Sequence, residues 1–181
     1  MDKKKPIYLL LAIFVLGVFS LLAGGQTEMV ATKTIMQNAS NAAELSTLVS
    51  AIKAAGLENL LEGPGPYTFF APNNEAFAEL PKGTLENLMK PENKAKLKAL
   101  LEMHVVQGKW TTVDLKKKLE EGKGSAELTC MTGEKLHIAD HGGRMLMVKD
   151  NDDDIGMFLG SDQENSNGVV HVIDNVLSPK E

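Results

Sequence analysis

An α+β fold is predicted by three features of the sequence. Residues from Thr34 to about Gly122 carry apolar side chains at helical spacing, and after Gly124 the period changes from 3.6 to 2. Helices and strands are therefore segregated along the chain, which argues against a wound parallel sheet. The composition, 43% hydrophobic and 24% charged, is that of a globular domain and excludes disorder, collagen and coiled coil.

The elements follow in order. Residues 1–25 read as a secretory signal peptide. Lys3, Lys4 and Lys5 precede an apolar run of 16 residues, Ile7 to Leu22, and Ala23, Gly24 and Gly25 supply a small-residue exit with the cut before Gln26. The alternative, an uncleaved anchor, needs roughly 20 apolar residues. No cysteine follows the run, which excludes a bacterial lipid anchor there. Residues 26–33 are polar and small and read as a tether. The folded domain is expected over 34–179.

A helix is predicted over Ala42–Ala55, with Asn41 as cap, Glu44 completing a capping box and Gly56 closing it in the left-handed conformation. Leu45, Leu48, Val49 and Ile52 form its apolar stripe. Gly63-Pro64-Gly65-Pro66 is a turn, and Tyr67–Ala71 a short aromatic strand. Pro72 and Asn73 open a helix through Glu75, Phe77 and Leu80 that stops at Pro81. Thr84 caps a small helix bearing Leu85, Leu88 and Met89. Pro91 begins the next, on which Leu97, Leu100, Leu101 and His104 share a face, and Val105-Val106 leaves it extended. Thr111 and Asp114 form a capping-box pair, with Gly122 as the stop.

Ala126/Leu128/Cys130, Leu136/Ile138, Leu146/Val148 and Met157/Leu159 then alternate as half-buried strands. Gly133, His141-Gly142-Gly143 and Asn151–Asp154 supply the turns. The last strand, Val169–Val176, is entered through Asn167-Gly168, a pair suited to a tight turn.

Few residues suggest chemistry. No Gly-x-Ser-x-Gly elbow or phosphate-cradling loop is present, and no carboxylates pair as an acid–base couple. Cys130, the one cysteine, excludes an internal disulfide and a cysteine zinc cluster; its alternation with Ala126 and Leu128 predicts burial. Asp150–Asp154 fails the calcium-loop pattern, since Ile155 and Ser161 stand at its sixth and twelfth positions, and reads as a solvated turn. His104 and His171 have apolar neighbours and read as hydrogen-bonded core residues; His137 and His141 fall on a strand and its turn. Trp110 reads as a packing anchor. Asn38-Ala39-Ser40 is a glycosylation triplet, meaningful in a eukaryotic secretory route. The chain is acidic, net −5, and −7 once residues 1–25 are set aside, so a general nucleic-acid partner is not expected.

Three segments resemble signatures of the fasciclin-domain family. Thr68–Phe77 is similar to its T-x-F-A-P-t-N-x-A-F motif. Leu100–Gly108, L-L-E-M-H-V-V-Q-G, is similar to its L-L-x-Y-H-V-V-x-G, and Asn167–Leu177, N-G-V-V-H-V-I-D-N-V-L, to its second signature. Thr34–Gly56 and Pro81–Glu92 also resemble the family's corresponding parts. The resemblance implies a β-wedge of about seven strands flanked by helices, and a secreted, periplasmic or cell-surface module without enzymatic activity or cofactor. It implies adhesion to an extracellular protein or polysaccharide, with membrane contact only through an uncleaved signal segment. The family's adhesive Tyr-His pair falls on Met103 and His104, which with Val105 and Val106 are the candidate binding residues. Met103 lacks the phenolic hydroxyl. Phe70, Ala71, Pro72, Asn74, Phe77, Asn167, Gly168, His171 and Asp174 carry the signatures and are expected to be structural. No catalytic or metal site is predicted. The alternative reading is a small-ligand or cofactor carrier: eight methionines follow residue 25, and Met145 and Met147 flank Leu146 on one strand, a face suited to flexible apolar ligands or soft metals.

Overall fold

The computed structural model describes residues 30–143 and 145–179, so the expected signal peptide lies outside the described residues. Helices α1 (Ile35–Ala39), α2 (Ser46–Ala55) and α3 (Glu58–Glu62) lead into strand β1 (Tyr67–Pro72). Helices α4 (Asn74–Ala78), α5 (Thr84–Leu88) and α6 (Lys94–Met103) follow, then β2 (Val105–Gln107) and α7 (Thr112–Glu121). Strands β3 (Ala126–Thr129), β4 (Lys135–His141), β5 (Met145–Lys149), β6 (Ile155–Asn165) and β7 (Gly168–Ile173) complete the elements of the described residues.

The seven strands form one sheet in the order β2-β1-β7-β6-β5-β4-β3. Only β1 and β7 are parallel, from Tyr67 opposite Gly168 to Pro72 opposite Ile173. A bridge between Val106 and Cys130 joins the two ends, so the sheet is nearly closed. The α+β wedge with flanking helices is borne out.

Two apolar cores result. In one, Phe69, Ala71, Val170 and Val172 of β1 and β7 pack on the helices, against Ile35, Leu48, Ile52, Leu61, Leu97 and Leu101. In the other, Phe70 and Ile173, on the opposite face of the same two strands, meet Leu136, Ile138, Leu146, Val148 and Phe158, with Leu115 and Leu119 of α7. Strands β1 and β7 are thus covered on both faces, and β3, β4 and β5 on one.

Local signals account for several ends. Asn73 accepts from the Ala76 N–H at 2.8 Å and starts α4. The Thr111–Asp114 capping box forms, and Gly56 closes α2 at φ +72°. Other expectations are corrected. Residues 43–45 form a 3₁₀ turn and α2 begins at Ser46; Asn41 donates its amide to the Gln37 carbonyl. Asn74 supplies the missing cap from another helix: its Oδ1 accepts from the Thr47 N–H at 3.0 Å, and its Nδ2 donates to the Ala43 carbonyl at 2.9 Å. Gly83, at φ +85°, precedes α5 in the place given to Thr84, α4 ends at Ala78, and β7 ends at Ile173.

The phase of β6 is also corrected. Gly156 and Phe158 face the core, while Leu159 is exposed and Met157 half-buried. Residues 30–33 of the expected tether are held against the domain. The Val30 carbonyl accepts from Asn38 Nδ2 at 2.8 Å, and the Lys33 carbonyl from the Ser166 N–H at 2.9 Å. Asn38 is buried, and its Nδ2 also donates to Asn165 Oδ1 at 2.6 Å, so the glycosylation triplet offers no free amide.

Candidate functional site

The candidate binding residues lie where α6 turns into β2. Met103 and His104, at the end of α6, are 0% exposed; Val105 is 1% and Val106 2% exposed on β2, which pairs with β1, Val105 opposite Phe69 and Val106 opposite Thr68. His104 Nδ1 donates to the Leu100 carbonyl at 2.8 Å, since a carbonyl can only accept. Its Nε2 therefore accepts from the Leu177 N–H at 2.9 Å and ties the C-terminal segment to α6. Burial drives its pKa down to about 4, so the ring is neutral. Met103 Sδ takes the Cys130 thiol at 3.4 Å, and Cys130 is buried as its alternation predicts. None of the four side chains reaches the surface to meet a partner.

The signature residues sit in the same interior. His171 is stacked on Phe158, ring centroids 4.9 Å apart, and on Phe70 at 5.7 Å. Its Nε2 donates to the Trp110 carbonyl at 2.8 Å, and its Nδ1 accepts from the Asp162 N–H at 3.3 Å; burial holds its pKa below the usual histidine value. Asp162, at φ +55°, accepts through its carboxylate from the N–H and the hydroxyl of Thr112 at the start of α7. Trp110 is half-buried against this core, as an anchor would be.

Asn167 joins three segments. Its Oδ1 accepts from the Ile35 N–H at 2.9 Å, and its Nδ2 donates to the Leu61 and Gly63 carbonyls at 2.8 Å each. A Cβ on Gly168 would overlap the Tyr67 carbonyl oxygen, and one on Gly65 the Asn167 carbonyl oxygen, so both glycines permit close backbone approach. Asp174 Oδ1 accepts from the Met157 N–H at 2.7 Å. Ala71 and Phe77 are buried in the helical core, and Pro72 ends β1 opposite Ile173.

The acidic turn is exposed at Asn151, Asp152 and Asp153, as a solvated turn would be, but its first residue is not. Asp150 is 1% exposed: its Oδ1 accepts from the N–H groups of Asp152 and Asp154, and its Oδ2 from that of Ser178. Burial pushes its carboxyl up, against those three donors. Among the described residues, no three His, Cys, Asp or Glu side chains converge as a metal site would require. Two open surface depressions, of about 400 and 530 Å³, lie at α4–α5 and beside α1.

The outer face of the sheet is the exception to this internal economy. Among the described residues six large apolar side chains are exposed, and three share the outer face of β5 and β6: Met145 at 40%, Ile155 at 40% and Leu159 at 46%. Met147 and Met157, half-buried, stand between them as a cross-strand pair. His141, read as a turn residue, is the last residue of β4 and pairs with Met145. The expected inward phase of Met157 and Leu159 concealed this face in the sequence.

Fold and contacts together define a packed module whose signature side chains are spent on internal bonds. The fasciclin-domain profile matches residues 43–179, and the chain belongs to the fasciclin-domain family. It is 42% identical to protein sll1483 of Synechocystis sp. over 146 residues, covering 81% of this chain and 73% of that one. It is 30% identical to human periostin over 136 residues, 75% of this chain but 15% of periostin. It is 35% identical to the rabbit (Oryctolagus cuniculus) transforming growth factor-beta-induced protein ig-h3 over 118 residues, 65% of this chain and 16% of that protein. The fold is similar to a FAS1 domain pair from the insect cell adhesion molecule Fasciclin I, with TM-score 0.70 and 19% identity, over 80% of this chain and 50% of that one.

Proposed function

We propose that the protein is an exported, non-catalytic adhesion or interaction module that meets an extracellular protein through the outer face of β5 and β6. One observation carries this reading. The signature polar groups, on His104, Asn167, His171 and Asp174, are engaged inside the molecule, while Ile155 and Leu159 stand together in water. An exposed apolar patch of this kind marks an interaction surface. The apolar character favours a protein over a polysaccharide. Export is supported by the basic and apolar pattern of residues 1–25, and adhesion by membership of a family that includes a domain pair from a cell adhesion molecule. Met103–Val106 serve the fold in this reading, by anchoring β2 and the C-terminal segment.

Retention of the purified protein on cells and on immobilised matrix proteins tests it. Ile155→Asp or Leu159→Asp should lower retention about tenfold or more with the melting temperature unchanged. Retention on glycans alone, or retention indifferent to both substitutions, would count against this surface.

A further inference from the structure

Three of the chain's methionines occupy adjoining outward positions on this face, at the end nearest the β4–β5 turn. Met147 is opposite Met157 on one side and Ala139 on the other, and Met145, two residues from Met147, is opposite His141. Directly opposed residues have Cβ atoms about 5 Å apart, diagonal neighbours about 7–8 Å, and same-face neighbours along a strand are about 7 Å apart. The flexible methionine side chain lets three sulfurs converge across such spacings. Ala139, opposite Met147, adds only a methyl group to this face.

Core filling does not account for these methionines. The inward positions of the same strands hold Leu146, Val148 and Phe158, so the thioethers are placed on the wet side. The neighbouring outward residues His137, Ala139, Lys149, Ile155 and Leu159 bring no carboxylate, which hard cations require. Lys149 is paired with Asp153, and His137 lies 3.8 Å from Glu127.

We propose that Met145, Met147, Met157 and His141 form a binding site for a soft monovalent cation, Cu(I). Thioether and imidazole are the neutral ligands that such an ion selects. The ion is taken up already as Cu(I), so no electron transfer is involved. The site shares the face proposed above for a protein partner, but cation binding is measured on the protein alone, so its failure and the failure of that reading are distinguishable.

The test is anaerobic titration of the full chain with Cu(I) against a chromophoric Cu(I) chelator, and with Ag(I) followed by methionine methyl NMR signals. Cys130→Ala is the background, so that the buried thiol beside Met103 cannot supply the binding. The expected result is one equivalent, with the Met145, Met147 and Met157 methyl signals shifted and Zn(II) not bound. Met147→Leu and His141→Gln should each weaken Cu(I) about tenfold or more with the melting temperature unchanged. Less than one equivalent in the Cys130→Ala protein, shifts at other methionines, or affinity unchanged in both variants would overturn it.

Discussion

Strands β1 and β7 are buried on both faces, whereas β4 and β5 bury one face and leave the other in water. The two-sided half places polar groups inside and satisfies them there: Thr68 with the Gly108 carbonyl, His171 with that of Trp110, Asn167 with three backbone partners. The one-sided half alternates core residues with outward side chains that are half-buried or exposed. All three segments that resemble the family signatures run through or against the two-sided half. β4, β5 and the first half of β6 carry none of them. The signatures therefore record how the wedge is held together, and the surface proposed above to meet other molecules lies on the opposite half.

The largest expected effect compares a glycine in each half. Gly168 lies against backbone, where an added Cβ would overlap the Tyr67 carbonyl oxygen that no rotamer change can move. Gly168→Ala should cost about 4 kcal/mol or more, enough to abolish the folded state of a marginally stable domain. Gly156, in the one-sided half, would meet the Ile173 side chain, its Cδ1 at 2.9 Å, which can shift. Gly156→Ala should cost about 1–3 kcal/mol and fold. Urea unfolding followed by circular dichroism compares them, and equal costs would break the contrast.

A smaller effect separates the halves by pH. His104 and His171 are held neutral by burial, with His104 at about 4. The unfolded chain binds their protons near pH 6.5, so between that value and about pH 4 it carries more protons than the native state. Stability then rises with pH, and it falls on acidification through this window. For His104 alone the loss is about 3 kcal/mol. Denaturation midpoints measured from pH 7.5 to 4.5 should show the slope, and His104→Leu should reduce it while lowering stability at neutral pH. A slope fully retained in that variant would assign the acid sensitivity elsewhere.

The same contrast governs what was legible in the sequence. Helix ends set by neighbouring residues were readable, as with Asn73, the Thr111–Asp114 box and Gly56. The cap of α2 was not, because Asn74 reaches it from another helix. Asp150 was misread for a similar reason: Ser178, one of its three backbone donors, lies far along the chain. The burial of Val105 and Val106 comes with pairing to β1, and that of Met103 with packing in the sheet core, neither of which a motif displays. In β6 the run Met157-Phe158-Leu159 is apolar throughout, so periodicity fixes no parity. A one-residue change of phase exchanges the two faces. The bulge between Phe158 and Gln163 removes the register that would have settled it.

Parity gives the smallest effect and the sharpest check on the wet face. Phe158 stacks on His171 in the core, whereas its neighbour Leu159 is 46% exposed. Threonine suits a strand and removes apolar surface from water. Leu159→Thr should therefore change stability by no more than about 0.5 kcal/mol in either direction. An unfolding free energy lowered by more than about 2 kcal/mol would mean that Leu159 is covered in solution, by an opposite phase of β6 or by a second copy of the chain. Dilution distinguishes these. A phase error leaves the loss independent of concentration, while a self-associated face shows a midpoint in the parent protein that falls on dilution.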